Sequence, residues 1–295
     1  MTAYSAIASN KRRSASLILV FAVLVLAVGW AWDQLEGGGT AIVPIAGVVA
    51  LFSALMGYFA GDKIALAVNG AIRAQKEEAL ELYRLVENLS ITAGLPMPKV
   101  YVIPSPAINA FATGRDPQHA SIAVTEGALQ KLDRSELEGV LAHEMSHIQN
   151  YDIRLMMIVA IFVGMIALLG DWFLRSRLWG FHSRDRGRSN VHAIVAIAGF
   201  LLLLLSPIVA KLIQLAMSRR REFLADASAV LLTRYPEGLA SALQKIQASH
   251  EPVETANSAT AHLYIANPLS GRTLSTLFST HPPIKERITA LSQMG

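Results

Sequence analysis

Hydrophobic residues are concentrated in four long stretches of the chain, and two polar regions separate and follow them. The apolar stretches cover residues 16–32, 41–60, 155–173 and 191–217. A helix needs about 20 apolar residues to cross a bilayer, and each stretch has that length or nearly so. The pattern therefore predicts a mainly α membrane protein with four apolar, transmembrane helices.

The polar regions must then carry any chemistry, and they divide the chain into four parts. Residues 1–60 form an N-terminal two-helix membrane anchor, and residues 61–154 are the first part of a catalytic domain. Residues 155–217 form a second hydrophobic helix pair, which is joined by an arginine-rich linker at 175–188. Residues 218–295 supply the second part of the catalytic domain.

The first apolar stretch has two interpretations. It follows a basic cluster at residues 11–13, as the core of a cleaved signal peptide would. However, the run is long for a signal core, and Trp30 and Trp32 close it as an interfacial aromatic belt does. A second apolar stretch follows directly after the glycines at 37–39. These features favour a retained hairpin anchor.

The first polar region contains patterns of both helix and strand. Apolar spacing predicts an amphipathic helix from Ala74 to about Ala93, which Gly94 ends. Two β-branched runs follow at residues 99–103 and 121–124. We therefore expect a small β-sheet in this region.

Further helices are predicted on both sides of the second apolar pair. Ser135 and Glu138 have the spacing of a capping box, so a helix is expected to begin at Ser135. The fourth apolar stretch is predicted to continue as helix to about Thr233. Two shorter helices are expected near residues 238–249 and 284–294. The catalytic domain is thus mainly helical with a small sheet.

Composition supports the membrane class and excludes several others. The 295 residues are 53% hydrophobic and only 16% charged, which is more apolar than ordinary soluble domains. The absence of cysteine excludes disulfides, iron–sulfur clusters and a thiol nucleophile. The net charge of +4 is explained by basic residues beside the apolar stretches, because no basic stripe with interleaved aromatic residues is present. No nucleic-acid partner is predicted.

The motif His143-Glu144-Met145-Ser146-His147 lies in the helix that is predicted to begin at Ser135. Two histidines four residues apart share one helix face and can bind one metal ion, with Glu144 beside the metal as a general base. Chance is the alternative explanation of this HExxH pattern. The helical context argues against chance, because burying Glu and His in an apolar protein is costly without a metal or partners.

A catalytic zinc site needs a third protein ligand, and Glu222 is the best candidate. It lies on a second predicted helix, with Asp226 one turn later on the same face. Asp226 would then orient a ligating histidine through a hydrogen bond. Alternatively, both carboxylates belong to a solvated helix face that is paired with the arginines at 219–221. Two imidazoles and one carboxylate suit Zn²⁺ best among common metals.

Four ordered motifs together make the chain resemble the HtpX-type membrane metalloproteases, bacterial relatives of the CAAX prenyl endoproteases. The resemblance covers nearly the whole chain, including the two-span N-terminus. The motifs are Asn109–Gly114 (NAFATG), His143–His147 (HEMSH), Arg219–Asp226 (RRREFLAD), and Thr280–Pro283 (THPP) with Arg287-Ile288.

This resemblance implies a zincin-like helical core that holds one Zn²⁺ on His143, His147 and Glu222, with Glu144 as general base. It also implies a multi-pass protein of the bacterial cytoplasmic membrane whose active site faces the cytoplasm. Its partners would be the lipid bilayer and protein substrates, above all misfolded or damaged membrane proteins.

Two further site assignments are weaker. By resemblance, Asn109, Ala110, Phe111 and Ala112 form a substrate-binding edge. An extended segment of small residues can indeed pair with a substrate backbone by strand addition, although an ordinary loop has the same composition. His281 either donates a hydrogen bond to the developing oxyanion or caps a turn and packs.

Two other functions and one question of topology stay open. The chain could be a dedicated CAAX-type processing protease, but those relatives are longer and have more spans. It could also be an inert zinc-dependent scaffold, which the intact Glu144 opposes. The basic residues at 11–13 and the acidic turn at 33–36 predict a cytoplasmic first polar region. If the third and fourth stretches both span, the linker at 175–188 lies outside, against the same rule.

Overall fold

The computed structural model describes residues 3–35, 42–180, 219–249, 251–269 and 282–294. The fourth apolar stretch, the linker beyond residue 180, the glycine turn at 37–39 and His281 lie outside the described residues. Within them the chain forms ten α-helices: α1 (Ala3–Leu35), α2 (Ile42–Phe59), α3 (Gly61–Val68), α4 (Leu80–Ala93), α5 (Glu126–Lys131), α6 (Arg134–Gln149), α7 (Asp152–Gly180), α8 (Arg219–Thr233), α9 (Pro236–Ala248) and α10 (Ile284–Ser292).

Three of the four predicted apolar stretches form helices, namely α1, α2 and α7. Over the described residues, none of the helices is long and apolar enough to cross a membrane alone. Two pairs meet the length and composition only together across a bend: Val43–Phe59 with Gly61–Val68 at 75°, and Arg134–Gln149 with Asp152–Ala167 at 84°. Four transmembrane helices therefore stay a prediction.

Helix α1 packs against both α2 and α7 through apolar side chains. The rings of Phe21 and Phe162 stack with their centroids 4.0 Å apart, and Leu17 is buried against the same face of α7. This contact places the N-terminal helix beside the segment that directly follows the metal-binding motif.

The predicted sheet is present and has four strands: β1 (Ile72–Arg73), β2 (Lys99–Ile103), β3 (Ala110–Gly114) and β4 (Ala120–Thr125). Their order is β1-β2-β4-β3, so β3 is an edge strand. β2 and β4 are parallel, whereas β1 and β3 pair antiparallel with their neighbours. The segment Asn109–Gly114 is thus mostly strand and not loop.

The predicted start of one helix is wrong by several residues. Helix α4 begins at Leu80 and not at Ala74, because the Ala74 amide donates to Val100 O and extends the strand pairing of β1. Its predicted end is confirmed, since Gly94 takes the left-handed conformation with φ of 66°.

Helix α6 begins one residue before Ser135, and its capping box uses a different pair of residues. Asp133 accepts a hydrogen bond from the Glu136 amide, and the Glu136 carboxylate accepts one from the Asp133 amide. Ser135 instead donates its hydroxyl to Asp133. An ionised carboxylate is a stronger acceptor than a hydroxyl, which explains why Asp133 takes the cap.

Close packing of α6 against α9 depends on glycine. A Cβ on Gly139 would lie 2.7 Å from the Leu239 amide nitrogen, and one on Gly238 would lie 2.6 Å from Ser135 O. Two glycines on facing helices therefore allow their backbones to approach closely. On other faces, α6 buries Leu141 and Met145 in the core that it shares with α4 and the sheet.

Candidate metal centre

Helix α6 directs the two motif histidines toward one point. The Nε2 atoms of His143 and His147 are 3.2 Å apart, and their rings are nearly perpendicular. Both side chains are buried, at 0% and 4% exposure. The i, i+4 spacing of the motif therefore produces the shared face that was predicted.

Helix α8 brings Glu222 to the same point. Its Oε2 lies 3.7 Å from His143 Nε2, and its Oε1 lies 3.7 Å from His147 Nε2. The ligand atoms of the three residues all lie within 4.8 Å of one another. In a tetrahedral zinc site with ligands at about 2.0–2.1 Å, ligand atoms are about 3.3 Å apart. The observed separations need only small side-chain adjustments to meet this geometry.

Each histidine is oriented by a carboxylate on its other ring nitrogen. Asp226 Oδ1 lies 2.9 Å from His143 Nδ1, and Asp152 Oδ2 lies 3.0 Å from His147 Nδ1. When both Nδ1 atoms donate to these carboxylates, the two Nε2 lone pairs face each other across 3.2 Å. A cation bound to both nitrogens removes this repulsion, and in the metal-free site a proton on His147 does so. The residues present therefore fit a divalent metal ion.

A buried arginine closes the His143 side of the site. Arg287, on α10, is fully buried and donates from Nε and Nη2 to the two oxygens of Asp226, at 2.9 and 2.7 Å. Its Nη2 also lies 3.3 Å from His143 Nδ1, and its Nη1 donates to Ile265 O at 3.1 Å. The charge of Arg287 lowers the pKa of Asp226 to about 2, although burial acts in the opposite direction.

The two histidines titrate in opposite directions in the metal-free site. Burial and the neighbouring charge of Arg287 lower the pKa of His143 to about 4. Burial also opposes the charged form of His147, but the hydrogen bond to Asp152 and the charge of Glu222 outweigh it and raise the pKa of His147 to about 9. Without a metal, His143 is therefore neutral and His147 is protonated at neutral pH.

Glu144 lies beside the ligands and is 1% exposed. Burial raises its pKa to about 8, while the charge of His147 and a hydrogen bond from the Ala112 amide act in the opposite direction. Its Oε2 is buried and has no hydrogen-bond partner within the described part of the chain. A carboxylate oxygen without a protein partner, next to three metal-ligand side chains, is suited to accept a proton.

The outer edge of β3 is partly occupied by the chain itself. Ile265 N donates to Ala110 O at 3.0 Å, and the Asn109 side-chain amide donates to Ala266 O at 3.0 Å. Tyr264 forms a bridge with Phe111, and the two rings make an edge contact at 5.0 Å. The Ala112 amide points instead to Glu144. The predicted edge therefore borders the site, but half of it is already paired.

The structure brings together most of the residues that the sequence singled out. His143, Glu144, His147, Glu222 and Asp226 converge, whereas His281 lies outside the described residues.

Sequence reasoning missed Asp152, whose signal was its place five residues after His147, in the first turn of the next helix. It left Arg287 without a role, although that arginine belongs to the THPP–Arg-Ile motif.

Comparison with known proteins identifies the family. Residues 76–295 match the family model described as peptidase family M48. The chain belongs to this family. A protein of Dictyoglomus turgidum that is named Protease HtpX homolog is 46% identical over 294 residues, which cover 100% of this chain and 95% of the relative. A Protease HtpX homolog of Caldanaerobacter subterraneus subsp. tengcongensis is also 46% identical, covering 99% and 98% of the two chains.

A solved structure extends the comparison to the fold. The crystal structure of S. mikatae Ste24p aligns with a TM-score of 0.51 at 21% identity, over 98% of this chain and 67% of that chain. The similarity concerns the fold. The predicted family and the predicted metallopeptidase activity are thus confirmed for this M48 chain, and the HtpX relatives support a membrane metalloprotease.

Proposed function

We propose that this M48 chain is a zinc endopeptidase of the bacterial cytoplasmic membrane that cleaves misfolded or damaged membrane proteins at the cytoplasmic face. The convergence of His143, His147 and Glu222 within 4.8 Å, with Glu144 beside them, carries the proposal. The HtpX relatives support a membrane metalloprotease.

His143, His147 and Glu222 would hold the ion, and Asp226 and Asp152 would fix the two imidazole rings. Zinc, when bound, supplies Lewis-acid activation of the peptide carbonyl and of the attacking water. Glu144 accepts the water proton on its unpartnered Oε2 and returns it to the leaving amine.

The substrate is proposed to add as a strand to the outer edge of β3. Because Ile265 already pairs with Ala110, the part of this edge toward Gly114 is the part proposed to pair with substrate. Backbone pairing requires only an extended segment and little side-chain preference, which suits unfolded polypeptides. The role of His281 at the oxyanion stays a prediction.

The catalytic proposal is tested by separating metal binding from turnover. Glu144→Gln should keep one zinc per chain but lower the hydrolysis of casein by about 100-fold or more, the usual scale for a positioned acid–base group. His143→Ala should lose the metal itself. Glu138→Gln, on the same helix, is the matched control. Near wild-type hydrolysis by Glu144→Gln, in a preparation shown to be free of host proteases, would refute the mechanism.

The cytoplasmic orientation is tested by labelling single cysteines, since the chain has none of its own. Cysteines at the exposed positions Asn88 and Ser258 should be protected from a membrane-impermeant maleimide in intact cells. A cysteine at Ser183, in the linker, should react if the two flanking apolar stretches span the membrane. Reaction at Asn88 or Ser258 would contradict a cytoplasmic site.

A dedicated CAAX-type processing protease is the second candidate, and the fold shared with Ste24p is the observation that favours it. A prenylated peptide and casein, offered to the same preparation, discriminate between the two. Cleavage of casein without preference for the prenylated peptide supports broad specificity.

A further inference from the structure

Asn10, near the start of α1, is a polar side chain that is almost fully buried, at 2% exposure. Its side-chain amide donates to Asn150 O at 2.9 Å and to Asp152 Oδ1 at 2.7 Å. Both acceptors lie at the junction between α6 and α7, about 140 positions along the chain. Both N–H groups of one amide therefore bind the segment that directly follows the metal-binding motif.

Asp152 connects Asn10 with the candidate metal site, because it binds both Asn10 and His147. Its Oδ1 accepts from Asn10 and, at 3.3 Å, from Arg221, while its Oδ2 lies 3.0 Å from His147 Nδ1. The carboxylate is 2% exposed, so little water competes for its oxygens. A continuous chain of hydrogen bonds thus runs from Asn10 through Asp152 to His147.

Two other contacts hold α1 at the same place. The junction contains Tyr151 in a left-handed conformation, with φ of 60°, and the Lys11 ammonium lies 4.3 Å from the centre of its ring. Further along α1, Phe21 stacks on Phe162 of α7. A non-glycine residue with positive φ needs support from its surroundings, and α1 provides part of it.

The chemistry of an amide suits this position. Asn10 satisfies Asp152 without adding a second positive charge to that of Arg221, so the carboxylate keeps its negative charge for the imidazole of His147. Lysine at this position would compete with the histidine for the same carboxylate. Removing the amide would leave Asp152 Oδ1 less constrained and free to rotate away from the ring.

We infer that Asn10 is a positioning residue for the metal site: it orients His147 through Asp152. The N-terminal helix thereby contributes to the geometry of the metal centre. The inference rests on the proposed role of His147 as a metal ligand. Partners that touch a metal ligand directly are worth about 10–100-fold in metal affinity. Asn10 acts one step further out, so we expect about 3- to 10-fold weaker zinc binding without it.

The test measures zinc affinity of the full-length protein in detergent by competition with a chromophoric chelator. Asn10→Ala should weaken zinc binding about 3- to 10-fold, and Asn10→Asp should weaken it more. The aspartate keeps the shape of the side chain but replaces the donating nitrogen by a carboxylate oxygen, which faces the acceptors Asn150 O and Asp152 Oδ1. Ser14→Ala is the matched control, because Ser14 is also buried on α1, one turn later, and its hydroxyl has no partner among the described residues.

A double-mutant cycle separates positioning from general stability. If Asn10 acts through Asp152, then Asn10→Ala should cause no further loss of zinc affinity in the Asp152→Ala background. A wild-type zinc affinity in both Asn10 variants would overturn the inference, and so would an equal loss in both backgrounds. If the wild-type protein itself binds no zinc, it is the proposed metal site that fails. Should Asn10→Asp not fold, Asn10→Ala and its cycle still decide.

Discussion

The two histidines of the motif lie one turn apart on α6, yet opposite parts of the chain support them. His143 is held by Asp226, a residue of α8. Arg287 of α10 donates two hydrogen bonds to Asp226. His147 is held by Asp152, at the start of α7, which binds Asn10 of the N-terminal helix. One side of the metal site therefore depends on the C-terminal helices and the other on the helices of the apolar stretches.

The two supports look alike but have opposite electrical effects. Both are carboxylates within 3.0 Å of an Nδ1 atom. Burial and the charge of Arg287 lower the pKa of His143 to about 4. Burial also opposes protonation of His147, but the hydrogen bond to Asp152 and the charge of Glu222 outweigh it and raise the pKa of His147 to about 9. The difference therefore comes from the charges around each imidazole: the positive charge of Arg287 opposes protonation of His143, whereas the negative charges of Asp152 and Glu222 favour protonation of His147.

The largest expected effect comes from removing the charge on the C-terminal side. Arg287→Met should lower the free energy of unfolding by about 3–5 kcal/mol, because it leaves Asp226 buried without its ionic partner. Lys285→Met, an exposed change on the same helix, is the control. Urea unfolding of the metal-free protein in micelles measures both. Equal stability of the two variants would show that the ion pair does not hold this side together.

The second prediction compares how tightly the helices pack at two glycines, one in α6 and one in α7. Gly139→Ala should cost about 1–3 kcal/mol, because the new Cβ would lie 2.7 Å from the backbone of α9. Gly164→Ala, in α7, should be neutral or stabilising by up to about 1 kcal/mol, because its Cβ would meet only ordinary contact at 3.9 Å. Thermal unfolding of the two variants measures the difference. A cost at Gly164 as large as that at Gly139 would contradict the close fit of α6 and α9.

Neutralising each carboxylate in turn sharpens the comparison. Asp226→Asn and Asp152→Asn should each weaken zinc binding by about 10–100-fold. Asp226→Asn should also destabilise the metal-free protein more than Asp152→Asn does, because Arg287 is fully buried and makes two hydrogen bonds to Asp226, whereas Arg221 is slightly exposed and makes one longer bond to Asp152. Chelator competition and urea unfolding give the two quantities. A larger loss of stability in Asp152→Asn would reverse the comparison.

The smallest effect concerns Glu136, on α6 away from the metal. Burial raises its pKa, but hydrogen bonds from Lys245 and Ser241 outweigh burial and hold it below the ordinary value of 4.5. A carboxylate with a depressed pKa in the folded state stabilises above its unfolded pKa and loses that contribution as pH falls. Wild type should exceed Glu136→Gln in stability by about 1 kcal/mol at neutral pH. This difference should shrink below pH 4.5; a difference independent of pH would exclude the charged pair as its cause.

Prediction from sequence was most successful where the signal was local. The HExxH spacing and the Glu222–Asp226 spacing both place two side chains on one helix face, and the structure keeps both pairs together. The ends of the helices were less predictable: two possible N-caps, Asp133 and Ser135, lie only two residues apart.

The contacts that sequence reasoning missed depend on how the chain folds back on itself and on residues far apart in sequence. Asp152 reaches His147 only because Tyr151 turns the chain through a left-handed conformation, which nothing in its residue type requires. Asn10 and Arg287 come from the two ends of the sequence, and no periodicity connects them with the motif. Asn10 lies in a polar segment directly before the basic cluster at residues 11–13, so its residue type gave no signal of burial.

The ligand set has a consequence for the lifetime of the enzyme. His147 and Glu222 are separated by α7 and by everything up to α8, so an ion bound to both closes a long loop of chain. Such a closure restricts the unfolded ensemble in the way a disulfide does, in a protein that has no cysteine. An ion held by these residues would therefore act as a reversible cross-link between two distant parts of the chain. Loss of the proposed ion would therefore reduce the stability of the protein as well as its activity, and the metal supply would influence both.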